Sequence, residues 1–327
     1  MRMGAGSSLS LSPTLLIISQ VYVPDAAAVG QHLADVAEAM VHRGWRVIVL
    51  TASRGYDDPK QRYPAKELRR GVEVYRLPLS SLGKRSLVIR LFAQSLFMLQ
   101  AVVRSLFIHR PALILASTSP PFAGWGAWLI SVIRRVPFVW WVMDINPDQL
   151  IATGKLSPRS WLARIFDWGN RLTLQQASRV VTLDEAMRER LLMKIATRPA
   201  IDVLPPWPIA EISKAAEEVS DDFRRRSSLD GRFLVMYSGN HALQHPLKTL
   251  LDVATESRHD SELCFVFIGG GAGKVDVDKA VEGGASNVVS LPYQPLEQVG
   301  ASLGAANVHV VSMGNEMVGI VHPCKIY

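Results

Sequence analysis

At 327 residues, with 48% hydrophobic and 20% charged side chains, the chain has room for two domains with proper cores and is too apolar for a disordered protein. Its two cysteines, Cys264 in an apolar run and Cys324 near the end, suit neither a zinc site nor a disulfide framework, which fits a reducing compartment. The net charge of +7 divides unevenly, +12 over residues 1–205 and −5 over 206–327, so the first half suits an anionic surface or ligand. Zinc-finger spacing, an RNP-like strand and a basic region leading into heptads are all absent, which sets nucleic acid aside in favour of an anionic membrane face.

Residues 1–13 are small and polar and are expected to be disordered. Leu15 to Ile18 followed by Ala26 to Ala28 has a faint likeness to a signal peptide. Gln20, Pro24 and Asp25 interrupt it, however, and Thr14–Ser19 reads better as a first buried strand. A helix follows, with Leu33, Val36, Ala37, Met40 and Val41 at helical spacing, and ends at Arg43-Gly44 before a second strand, Trp45–Thr51. Strand, helix and strand at this spacing make a βαβ unit. Gly30 stands at the mouth of the helix, where a ligand could approach the backbone, but the Gly-x-Gly-x-x-Gly of a dinucleotide site is absent.

Val72–Leu77 is a further strand. Lys84–Arg110 reads as a long helix, with Leu91, Phe92, Leu99, Val103 and Phe107 on a broad apolar face and Arg90, Gln94, Gln100 and Arg104 opposite. Two arginines and two glutamines make a spanning helix expensive. Two readings stay open, a core helix packed on the sheet or an amphipathic helix in a membrane interface, and they are compatible if different parts of the surface do each job. After the strand Ala112–Ser117 come Ser119-Pro120-Pro121 and a helix with Trp125 and Trp128, ending at Arg134-Arg135. The apolar strand Phe138–Met143 then delivers Asp144-Ile145-Asn146-Pro147-Asp148 at its carboxyl end, where open α/β sheets bind ligands. An Asx turn with a helix cap at Asp148 is the plainer alternative. Helices over 158–175 and 184–194, with strands at 179–183 and 201–204, complete a first domain over 14–204. The proline-dense 205–220 reads as a linker.

The second domain, 221–327, repeats the grammar. Strands at 233–238, 263–268 and 288–291 alternate with helices, and the loops carry Gly239 to His245 and Gly269-Gly270-Gly271. The chain ends on a strand expected to be buried, Val308–Ser312, a glycine loop with Glu316, then Gly319-Ile320-Val321 and a helix start at Pro323 with Lys325 just inside. Free amides and a positive helix end would form an anion site there, although a strand-to-helix connection of this kind is common. The second half has about four strands and reads as C-terminally truncated. Two look-alikes are set aside. Gly269 to Lys274 fails the P-loop spacing, and Asp276-Val277-Asp278 reads as a solvated helix start and not a metal site.

The ordered set of Asp25 to Gly30, Arg43-Gly44-Trp45, Ser119-Pro120-Pro121, Asp144 to Asp148, Tyr237 to Asn240 with His245 and Lys248, Phe267 to Gly271, and Gly319 to Tyr327 resembles the family-4 (group 1) glycosyltransferases of the GT-B fold. It looks closest to the branch building bacterial surface polysaccharides on a lipid carrier, the O-antigen, colanic-acid and fucosamine-transferase type. The resemblance implies an α/β fold of two Rossmann-like domains facing across a cleft, and retaining transfer from a nucleotide-sugar, a UDP-sugar, to a polyprenyl-linked saccharide without an obligatory metal or other cofactor. It places the enzyme in the cytoplasm, peripheral to the inner face of the plasma membrane. It implies catalytic roles for Asp144 and Glu316. The donor would be bound by Gly239, Asn240, His245, Lys248, Gly269, Gly270, Gly271, Glu316, Gly319, Ile320, Val321 and Lys325, with Gly30, Asn146 and Asp148 on the acceptor side. The departures are that Cys324 stands eight residues after Glu316, so the second Glu of the family's Glu-x7-Glu is missing or falls beyond Tyr327, that Asn240 and His245 stand where Arg and Lys are usual, and that no histidine neighbours Asp144. An epimerase-like enzyme on a soluble nucleotide-sugar and a non-catalytic binding module remain as alternatives.

Overall fold

The computed structural model describes residues 12–25, 27–55, 60–79, 87–195, 199–208 and 217–326. The readings made for residues 1–11, for Lys84 and Arg85, for 209–216 and for Tyr327 lie outside them. The chain divides into two compact units, Met1–Asp148 with Leu156–Pro205, and Gln149–Lys155 with Pro206–Tyr327. The main division falls inside the proline run that starts at Pro205.

The first unit runs β1 (Thr14–Ile18), α1 (Ala28–His42), β2 (Arg46–Ala52), β3 (Lys66–Arg69), β4 (Val72–Leu77), α2 (Leu87–Leu106), β5 (Pro111–Ala116), α3 (Ala123–Arg134), β6 (Phe138–Trp141), then, past the short α4 (Asp148–Ala152) that belongs to the second unit after its first residue, α5 (Trp161–Gln176), β7 (Arg179–Thr182), α6 (Glu185–Leu192) and β8 (Ile201–Val203). Its sheet has the order β3-β4-β2-β1-β5-β6-β7-β8, parallel except for the antiparallel β3–β4 edge. Central β1 is buried along its whole length, which is why it reads as an unbroken apolar run and not as an alternating one. The strand order reverses between β1 and β5, so the ligand crevice of this sheet is expected beyond their carboxyl ends. Short, charged β3 has no apolar pattern and was not foreseen.

The long helix divides its apolar residues between a buried and an exposed face. Its core face carries Ala93, Phe97 and Ala101, with Gln94 buried beside them. Phe92, Leu99 and Val103 of the broad apolar face, for which packing on the sheet and a membrane interface were both open, are exposed. Small residues let α2 lie close on the sheet, and hydropathy alone ranks Ala below the Phe and Leu that stay outside. Ile89–Leu106 has the length and apolar character of a membrane span, and only 33% of it is buried.

The second unit comprises α7 (Glu217–Arg226), β9 (Phe233–Ser238), α8 (Lys248–Glu256), β10 (Leu263–Ile268), α9 (Lys274–Glu282), β11 (Val288–Leu291), α10 (Leu296–Gly304) and β12 (Val308–His309). Its four strands lie in the order β11-β10-β9-β12, all parallel. Along β10 the side chains alternate between two cores. Cys264, Val266 and Ile268 pack with Phe223 and Ala301, whereas Phe265 and Phe267 pack with Ala254 and Val277 on the opposite face. Residues 217–220, read as linker, are helical here. Arg224 of α7 hydrogen-bonds the Ala305 carbonyl and the Asn307 side chain, ties that a charge-dense sequence does not reveal. The final strand is shorter and more exposed than expected. β12 is two exposed residues at the sheet edge, with Val310 still donating to the Met236 carbonyl.

Candidate active site

In the second unit the strand order reverses between β9 and β12, and the residues expected to bind the donor lie mostly at that reversal. The β9 and β10 loops are knitted together. The Gly239 N–H donates to the Ile268 carbonyl (2.8 Å), that of His241 to Gly270 (2.7 Å) and that of Gly273 to His241 (2.7 Å). Gly239 and Gly269 have φ of 126° and 135°. A Cβ on Gly269 would lie 2.1 Å from the Gly239 carbonyl oxygen. Gly269→Ala therefore combines backbone strain with a main-chain collision, and a urea melt is expected to show a loss of about 3 kcal/mol or more. Among the described residues the N–H groups of Asn240, Gly270 and Gly271 have no protein acceptor, so three amides of neighbouring loops are open to an anion.

Lys325 enters this loop pair from the chain's last turn, the 3₁₀ segment Cys324–Ile326. Its aliphatic stem passes Gly239, where a Cβ would be 2.6 Å from Cε. Its ammonium donates to the Tyr237 hydroxyl and to the Asn240 carbonyl (3.3 Å) and lies 4.2 Å from the Tyr237 ring centroid. The Tyr237 hydroxyl in turn donates to the Asn240 carbonyl (2.8 Å). Burial lowers the Lys325 ammonium to about 8, so it is still a cation at neutral pH but close to losing its proton. Tyr237, part of the sequence motif, and buried His241 of the loop after it, whose rings stand 5.3 Å apart, were given no role; the signal was a single phenol near the end of an apolar strand.

The other expected donor residues divide. The His245 Nδ1 contacts the Ser312 carbonyl at 2.7 Å, tying the β9 loop to the segment after β12, and burial and then Lys325 lower its pKa. Glu316 is exposed in the 3₁₀ turn Asn315–Met317, one residue on from Gly314–Asn315, and the Gly314 N–H donates to Gln244 of the β9 loop (3.0 Å). Lys248 is not brought to the loops; its exposed ammonium is paired with Asp252 one helical turn on, at 2.6 Å. The amides of Ile320 and Val321, expected to be open, both donate to the Met317 carbonyl at 2.9 and 3.3 Å. The positive φ of Gly319 (70°) closes that turn, which consumes the donors within it. The Gly239 amide is likewise taken by β10.

In the first unit the reversal between β1 and β5 is lined by hydroxyls. Ser117 donates to the Ser19 hydroxyl (3.0 Å), and the Gln20 N–H donates to the Ser119 carbonyl (2.6 Å). Gly30 packs the first turn of α1 onto this crevice, since a Cβ there would be 3.0 Å from the Tyr22 Cα. Asp144, just past β6, is half-buried, and Thr118 anchors its backbone by accepting the N–H groups of Met143 and Asp144, each at 3.2 Å. Burial pushes its carboxyl up to about 6, within the range of a group that exchanges protons near neutrality. Asn146 is a buried backbone anchor whose carbonyl accepts from the Asn170 amide of α5. Asp148, expected on the acceptor side, is committed elsewhere: Arg190 (2.8 Å) and Lys194 (2.7 Å) hold its carboxylate, and Lys194 also pairs with Asp167 (3.0 Å). Buried Asp148 thus ties the segment after β6 to Arg190 of α6 and, through Lys194, to Asp167 of α5. Both look-alikes also have structural work. Lys274 and Asp278 meet at the Ser290 hydroxyl.

The profile of the glycosyl transferase 4-like domain matches residues 27–207. No curated protein matches the chain. Among solved structures it is similar to a sucrose-phosphate synthase from Thermosynechococcus elongatus (TM-score 0.67, 16% identity, covering 91% of this chain and 75% of that one). It is also similar to Anabaena HepE in complex with UDP-glucose (0.62, 15%, 92% and 74%). A third similar structure is WaaG, a glycosyltransferase involved in lipopolysaccharide biosynthesis (0.63, 15%, 91% and 75%). The family match spans more than half of the chain, and the likeness in fold to these structures extends over 91–92% of it. The chain belongs to the glycosyl transferase 4-like domain family and is a glycosyltransferase of the GT-B type.

Proposed function

We propose that the protein transfers a sugar from a nucleotide-sugar, a UDP-sugar, with retention at the anomeric carbon, to a polyprenyl-linked saccharide of the O-antigen or colanic-acid type. It works at the cytoplasmic face of the plasma membrane as a peripheral enzyme, drawn there by its basic first half. The observation that carries the donor side is the Lys325 ammonium held on the Tyr237 hydroxyl and the Asn240 carbonyl, in the loop pair whose Asn240, Gly270 and Gly271 amides have no protein acceptor among the described residues. Positive groups fixed there meet the charge that grows on a departing diphosphate, so no obligatory metal is needed in this reading. The similarity to HepE, crystallised with UDP and with UDP-glucose, supports uridine as the base. The similarity to WaaG supports a surface-polysaccharide role.

In the reaction, the bond from the anomeric carbon to the diphosphate breaks and a bond to an acceptor oxygen forms. Asp144 takes the acceptor hydroxyl's proton, and Glu316 holds hydroxyls of the donor sugar. Gly30 keeps the crevice beside β1 open.

A thermal-shift panel of UDP, GDP, ADP and NAD on the 327-residue chain tests the donor. A nucleotide at 100 times its Kd adds about 2.7 kcal/mol. UDP is expected to raise the melting temperature most. A shift with NAD alone, or with none of the four, would remove the nucleotide-sugar reading.

A further inference from the structure

The stretch that presents Asp144 is fixed from three directions, yet no hydrogen bond or ion pair reaches its carboxylate among the described residues. From Trp140 to Asp148, Asp144 alone is not buried. The Thr118 hydroxyl, just past β5, accepts the N–H groups of Met143 and Asp144. Asn170 of α5 donates its amide to the Asn146 carbonyl. Arg190 and Lys194, from α6 and the turn after it, close on the Asp148 carboxylate. Asp144 is thus flanked in the chain by groups whose places are set from outside the stretch.

The Asp148 contacts belong to a longer row of charges. Arg190 binds one oxygen of Asp148 (2.8 Å) and Lys194 the other (2.7 Å). Lys194 goes on to Asp167 of α5 (3.0 Å), whose second oxygen is bound by Arg171 (2.8 Å). Signs alternate along the row, and its centre is withdrawn from water, the side chains of Asp148 and Lys194 being 10% and 14% exposed. Burying charges costs solvation, and apolar residues often join helices as firmly. What ions add is direction, since each carboxylate oxygen is held to one nitrogen. Asp167 and Asn170 stand one turn apart on α5, so a single helix face governs the stretch twice, at Asn146 and, through Lys194, at Asp148. A displacement of about 1 Å at a reacting group is enough to cost about 10²-fold in rate.

We propose that Lys194, Asp167 and Asn170 are positioning residues for the Asp144 carboxyl, holding residues 144–148 so that the one carboxylate there without a partner keeps a fixed place just past β6. The inference rests on the reading of Asp144 as the base. The three residues act through Asp148 and the Asn146 carbonyl, not on the carboxyl directly.

Lys194→Met breaks the row while leaving each carboxylate a cation, Arg190 on Asp148 and Arg171 on Asp167, so the fold is expected to persist. Asn170→Ala, the second variant, removes the other hold and changes no charge. The readout is the Asp144 carboxyl resonance in protein labelled with carbon-13 at the aspartate Cγ. It is identified by its loss in Asp144→Asn and followed from pH 4 to pH 8. In the wild type it is expected to titrate near 6, where burial places it. Losing a nearby cation would by itself raise that midpoint, whereas a loosened stretch admits water and lowers it, so the two effects differ in sign. Each variant is expected to lower the midpoint by about half a pH unit or more, while keeping a cooperative melt and the wild-type response to UDP. An unmoved or raised midpoint in either folded variant, or a wild-type carboxyl titrating in the ordinary aspartate range, overturns the proposal. So does loss of the folded state in both variants, which would make the row and the Asn170 bond props of the fold alone. The midpoint is read without donor or acceptor. A lowered midpoint beside full transfer by Asp144→Asn therefore removes the base and keeps the positional role. Loss of transfer in Asp144→Asn beside an unmoved midpoint does the reverse.

Discussion

Lys325→Met is expected to abolish the UDP-induced thermal shift and lower kcat by about 10²-fold, the scale of losing one preorganised charge at a developing anion. The ammonium is held by the Tyr237 hydroxyl and the Asn240 carbonyl with its stem against Gly239, so the charge is positioned before any ligand arrives. The variant chain without ligand is expected to be no less stable at pH 7. Burial depresses the group to about 8, below its unfolded value, so carrying the charge opposes folding at neutral pH, and that cost declines as pH rises from about 8 towards the unfolded value. The same titration sets an alkaline limb: UDP affinity falls above about pH 8 in the wild type and loses that dependence in Lys325→Met. Calorimetric titration with UDP at pH 7 and pH 9 reads both effects. Wild-type UDP affinity in the variant would remove Lys325 from the donor site.

Asp144→Asn is expected to separate stability from activity. Burial raises the Asp144 carboxyl to about 6, above its unfolded value, so the native state binds the proton more tightly and stability falls as pH climbs between the two values. At pH 7 the isosteric amide escapes that cost, and the variant should be more stable by on the order of 2 kcal/mol. It should also melt several degrees higher. Transfer should fall by about 10²-fold or more, the scale of removing a positioned general base. In the wild type the rate should rise with pH through about 6 as the carboxylate forms. Together with Lys325, this gives a bell whose limbs lie near 6 and 8. Melting curves at pH 4 and pH 7 check the stability half: the gain from Asn should be present at pH 7 and absent at pH 4. A variant that is equally active, or less stable at pH 7, would show that this carboxyl is no base.

Much of the site was legible because it lies where strands stop. Asp144 and the glycines after β9 and β10 follow apolar runs whose ends can be read from residue type alone. What the reading missed is what the same residues do once neighbours distant in sequence arrive. Asp148 and Lys248 are equally plausible site charges on paper. Arg190 and Lys194, some forty residues on, neutralise the first, and Asp252 takes up the second. Ile320 and Val321 looked like donors to a phosphate until a turn on Met317 used their amides. Tyr237 gained its place only when Lys325, 88 residues later, came to lie on its ring.

The sequence by itself determined the alternation of strands and helices, the two β/α units and the carboxyl-end positions of the candidate site residues, because periodicity and strand ends are local properties of residue type. Only the tertiary structure decided which face of α2 is buried. Ala93, Phe97 and Ala101 permit a close approach to the sheet that the bulkier Phe92 and Leu99 do not. It decided too which charges and amides stay unspent. Whether a donor or a carboxylate is free depends on partners brought together through space, and a single sequence records residue type without recording distance.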